Sequence, residues 1–165
     1  MNNKLLATII VACGLVVVPV HDHAAEPHGT QQAVKLSPDL MSLLAEEMRE
    51  IAAGVQGIAL SLATADWGAI VETSEKIQAS YILDKKLTMA QSRELEHALP
   101  VNFRELDAEF HRRAEKLGAA ASAHDFELVA FHYSRLIESC ARCHSAYARQ
   151  RFPGFSPSGQ PGHHH

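Results

Sequence analysis

The sequence predicts an all-α protein, an antiparallel four-helix bundle, on three observations. Apolar residues recur at spacings of three and four through most of the chain. No alternating strand pattern of useful length occurs. Pro and Gly are scarce between residue 37 and Pro153, so the helices are long and their connections short.

The first helix is expected to start at Ser37 as N-cap, with Pro38 in its first turn and Asp39 at the positive end of the dipole. Leu40, Leu44, Met48, Ile51, Val55, Ile58 and Leu62 form its apolar stripe. The second helix covers about residues 66–83, with Trp67, Ile70, Val71, Ser74, Ile77 and Tyr81 facing inward. Thr88 caps a third helical region that Pro100 interrupts. Leu99, Phe103, Leu106, Phe110, Ala114 and Leu117 carry its stripe onward, and residues 119–123 form the turn. The fourth helix covers about residues 125–150. At 1.5 Å per residue each helix is about 30 Å long. The rival arrangement is a three-helix bundle with a peripheral hairpin. No internal repeat is visible.

The chain has 165 residues, 47% of them hydrophobic and 21% charged, enough for one domain with a core. Its net charge is −4, and no Lys/Arg run points to nucleic acid. The start has the order of a secretory signal: Lys4, then an apolar run over residues 5–20, then the small residues Ala24 and Ala25. A membrane anchor is the competing reading, but the run is short and holds Pro19. A lipid anchor on Cys13 is disfavoured because the apolar run continues past it. The expected organisation is a signal peptide at residues 1–25, a flexible arm at 26–36, the bundle at 37–152 and a disordered tail at 153–165. His163, His164 and His165 stand outside the fold argument. Export places the protein in the periplasm. It also leaves two cysteines, Cys140 and Cys143, too close on one helix for a structural disulfide.

Cys140-Ala141-Arg142-Cys143-His144 is the C-x-x-C-H sequence that attaches haem c. Two thiols one helical turn apart reach the two vinyl groups of one porphyrin and form thioethers. The next residue offers an imidazole to the iron. Val129, Tyr133, Leu136, Ile137, Cys140, His144 and Tyr147 share one face, so the motif points into the bundle. A thioredoxin-type pair usually sits beside a sheet, and none is predicted. A zinc site lacks its second pair of ligands.

With that motif and Tyr147 after it, the chain resembles the cytochrome c-prime family and its six-coordinate, low-spin relatives. These are exported four-helix bundles with C-x-x-C-H near the end of the last helix. The resemblance covers about residues 36–151. The basic residue that often follows the aromatic is replaced by Ala148, with Arg149 one position later. Arg49, Arg149 and Arg151 are the candidates to meet the haem propionates.

The resemblance implies one covalent haem c, with Cys140 and Cys143 as attachment residues and His144 as the proximal iron ligand. It implies a distal residue from the middle of the first helix, where Met48 stands, with Met41 in reserve. A Met/His pair suits an electron carrier working with a redox partner protein. An open distal face would instead bind a small gas such as nitric oxide, and a Met there would be core filling. Phe103, Leu106 and Phe110 are expected to line the pocket. Family members often form homodimers.

His97, His111, His124 and His132 are scattered, and a structural or surface role is expected for them. His21, His23 and His28 flank the cleavage region. Glu46, Glu47 and Glu50 read as a solvated helix face. No carboxylate pair or nucleophile–base arrangement supports an enzyme.

Overall fold

The structure is a computed structural model that describes residues 34–155. The expected signal peptide, Cys13, the histidines around the cleavage region and the terminal histidines lie outside the described residues. Six helices follow in order: α1 (Pro38–Ala63), α2 (Trp67–Gln78), α3 (Leu83–Lys86), α4 (Met89–Ala98), α5 (Val101–Ser122) and α6 (Phe126–Tyr147). A 3-10 turn at Pro153–Phe155 follows α6. The described residues contain no strand.

Four helices, α1, α2, α5 and α6, make the bundle. Side-chain contacts give their directions. Trp67 stacks on His124 with ring centroids 5.6 Å apart, and Ser74 packs against Gly118 further along, so α2 and α5 are antiparallel. Hairpins join α1 to α2 and α5 to α6. The short α3 and α4 fill the connection between α2 and α5, outside the bundle proper. The expected second helix is cut short at Gln78, because Ser80 takes a positive φ of 48° and turns the chain.

Both hairpins use the same corner. Ala65 (φ 54°) and His124 (φ 55°) sit in the left-handed region that ends a helix. The next residue, Asp66 or Asp125, then caps the following helix through its side chain. Thr88 and Gln91 form a capping box on α4, and Pro100 starts α5. Ser37 precedes α1 as expected, but it does not cap it: its hydroxyl donates to Glu94 at 2.9 Å and ties α1 to α4.

The hydrophobic core fills one half of the bundle, beside the two corners. Ile51, Val55, Ile58, Ile70, Ile77, Leu117, Val129 and Leu136 are its large members. Fully burying side chains of this size contributes about 2 kcal/mol each. The stripe on α1 departs from expectation at one position. Glu47, at 2% exposure, takes the inward place, and Met48 is 40% exposed. Ile137, expected on the inner face of α6, is 42% exposed.

Glu47 is therefore not part of a solvated face. Its carboxylate accepts the backbone N–H groups of Tyr81 (2.9 Å), Ile82 (2.5 Å) and Leu83 (3.2 Å). A buried carboxylate is tolerated when donors surround it, and here it closes the chain turn ahead of α3. Glu46 does face outward and pairs with Lys86 at 2.7 Å.

Candidate haem site

Cys140, Cys143 and His144 lie on the last two turns of α6, at the end of the bundle away from the core. Three contacts set the register of α6 against its neighbours. Tyr133 Oη donates to the Val55 carbonyl at 3.2 Å, between α6 and α1. Arg113 donates to the Arg135 carbonyl at 2.6 Å, and Phe103 packs edge-on to Tyr147 at 5.0 Å, between α5 and α6.

Heptad steps from the Tyr133–Val55 contact return to the same helix flanks. On α6 they lead to Cys140 and Tyr147. On α1 they lead to Met48 and Met41. His144 lies one turn beyond Cys140. Met48 thus stands level with Cys140, and Leu44 stands level with His144. Counted from the Phe103–Tyr147 contact, Phe110 and Leu106 occupy these two levels on α5, and both are partly buried. Met41 and Met48 are 41% and 40% exposed.

The two thiols are free and half-buried. Cys140 Sγ donates to the Leu136 carbonyl at 3.5 Å. Burial, with smaller contributions from Asp107 and Cys140, pushes the Cys143 thiol up to about 11. Burial also raises Cys140. Reactive redox cysteines ordinarily sit in the opposite environment, one that favours thiolate. Among the described residues no group of three or more His, Cys, Asp or Glu side chains is placed to hold a metal ion. This donor set fits covalent haem attachment: two protonated thiols one turn apart, an adjacent imidazole and apolar walls. Burial, helped by Arg151, holds His144 below its ordinary range and keeps the imidazole in the neutral form that a metal requires.

Arg151 is the one propionate candidate whose charge is felt at the motif. Arg149 instead turns back to donate to the Ser145 carbonyl, and Arg49 is exposed on α1. His97 is exposed, His132 is partly buried on α6, and His111 lies 3.7 Å from Asp107 on its own helix.

Sequence reasoning missed two residues beside the site. Glu47 follows the spacing of three and four on α1, but its charge hid it. Phe152 stacks on His144, with centroids 4.4 Å apart and planes 20° from parallel. It lies beyond the helix, where periodicity gives no signal.

The fold and motif together define a helical-bundle c-type cytochrome. The chain matches the model of the family described as Cytochrome C' over residues 32–148, well over half its length. It therefore belongs to the cytochrome c′ family, whose members carry covalently bound haem c. Comparisons with curated proteins and with solved structures return no match. No helix among the described residues is long and apolar enough to cross a membrane.

Proposed function

We propose that this cytochrome is a periplasmic electron carrier with one haem, attached through Cys140 and Cys143 and ligated by His144 and Met48. The observation that supports this reading is a shared level in the bundle. Met48 on α1 stands level with Cys140 on α6, one turn from His144. Haem iron with a thioether and an imidazole supplies one-electron exchange at a raised reduction potential.

The chain's own residues account for the rest. Burial keeps His144 neutral, ready to donate its lone pair. Phe110 and Leu106 on α5 present apolar surface to the same end of the bundle and limit water there. The reading is a carrier and not an enzyme. The net charge of −4 suits a redox partner with a basic patch.

A second reading is favoured by the exposure of Met48. A side chain that neighbours do not pin can leave the iron open, and the site would then bind a small gas such as nitric oxide.

The visible spectrum of the purified protein, oxidised and reduced, tests both. The carrier predicts a low-spin spectrum with the weak near-infrared band of methionine on ferric iron. A high-spin spectrum that shifts with nitric oxide or carbon monoxide replaces it with the gas-binding reading. Absence of haem staining on a denaturing gel, after expression with the attachment machinery, sinks both.

A further inference from the structure

We propose that Phe152 is the positioning residue of the haem-ligating imidazole, setting the rotation of the His144 ring. This rests on the reading of His144 as the proximal ligand.

The placement of Phe152 is built into the backbone. The chain leaves α6 at Ala148, whose carbonyl then accepts the N–H groups of both Arg151 and Phe152 at 3.0 Å. Pro153 follows, with a fixed φ that restricts the backbone of Phe152 as well. The Phe152 carbonyl accepts the N–H of Phe155 at 3.1 Å, closing the 3-10 turn. The aromatic ring is thus held by hydrogen-bonded turns on both sides. It is itself partly buried.

What this ring does follows from what surrounds the imidazole. A ligating histidine ordinarily donates its second ring N–H to a carboxylate or carbonyl. That bond fixes the ring and makes it a stronger donor. Among the described residues no hydrogen bond reaches the His144 ring. Its partner is the Phe152 face, 4.4 Å away and near parallel. A stacked aromatic restricts rotation as a hydrogen bond would, but offers no acceptor to the N–H. The imidazole is thereby held in one orientation.

The test uses holoprotein with Phe152→Leu, Phe152→Ala and His144→Ala variants. The readout is electron paramagnetic resonance of the ferric form, with haem staining to show that attachment persists. Phe152→Ala is expected to replace one resonance signal by several, as the ring loses the face that orients it. Phe152→Leu fills space without a flat stacking face, so it is expected to broaden the signal. An unchanged signal in Phe152→Ala overturns the proposal. If Phe152→Ala does not fold, an unchanged signal in Phe152→Leu overturns it. If His144→Ala retains the wild-type spectrum, the ligand reading itself fails, a result distinct from an idle Phe152.

Discussion

The Glu47 carboxylate accepts the backbone N–H of Ile82 at 2.5 Å, and this contact fixes the rotation of α1. Glu47 turns inward toward the chain ahead of α3, and its neighbour Met48 is left 40% exposed. Replacing Glu47 by Ala strands the three N–H groups it accepts, one of them on the buried Ile82. Each lost partner costs about 1 kcal/mol, so Glu47→Ala should destabilise the protein by about 3 kcal/mol. Glu47→Gln retains acceptor oxygen and should cost less. Urea unfolding followed by circular dichroism measures both, and equal stability of wild type and Glu47→Ala would refute the clamp.

Met48→Leu separates ligation from packing. The swap nearly conserves volume, so the stability change should stay under about 1.5 kcal/mol. As a ligand change it should abolish the near-infrared band, raise the spin state and lower the reduction potential, since methionine ligation raises it. Met41→Leu should leave all three unchanged. An unaltered spectrum in Met48→Leu would support an open distal face.

Much of this was legible in the sequence, for physical reasons. The helices could be read because their apolar spacing matches the period of the α-helix, and Thr88, Pro100 and Asp125 are strong local signals. The attachment motif could be read because its chemistry is local, packed into five consecutive residues. Glu47 could not, because a carboxylate on an apolar stripe is acceptable only if donors await it. Those donors come from Tyr81, Ile82 and Leu83, far along the chain. The early end of α2 was equally hidden, since the left-handed Ser80 lacks the glycine that usually marks such a turn. The stacking of Phe152 on His144 depends on how the chain leaves α6, which no periodicity encodes.

His132 should make stability depend on pH. Burial, and then the charge of Lys116, lowers its folded value from the ordinary 6.5. Below about 6.5 the unfolded chain binds a proton that the folded chain refuses, so stability falls as pH drops. The loss levels off once pH passes below the folded value. His132→Gln should flatten this slope while leaving the stability measured above pH 7 nearly unchanged. Chemical denaturation at a series of pH values provides the check, and a slope identical to wild type would remove His132 as its cause.

Two glycines should respond to alanine with opposite signs. A Cβ at Gly57, within α1, meets nothing within 4 Å. There the substitution gains helix propensity alone, about 1 kcal/mol of stability. A Cβ at Gly118, on α5, would stand 3.1 Å from the Cβ of Ser74, which is fully buried on α2. The two helices approach closely because that position has no side chain. Alanine there pushes α2 outward against a packed core, and overpacking of this kind costs about 1–3 kcal/mol. That cost exceeds or cancels the propensity gain, so Gly118→Ala should be neutral to destabilising while Gly57→Ala stabilises. Thermal unfolding of the two single variants and the double variant decides the matter. The sites are separate, so the effects should add. A stabilised Gly118→Ala would mean that α2 and α5 lie further apart than the Ser74 contact implies.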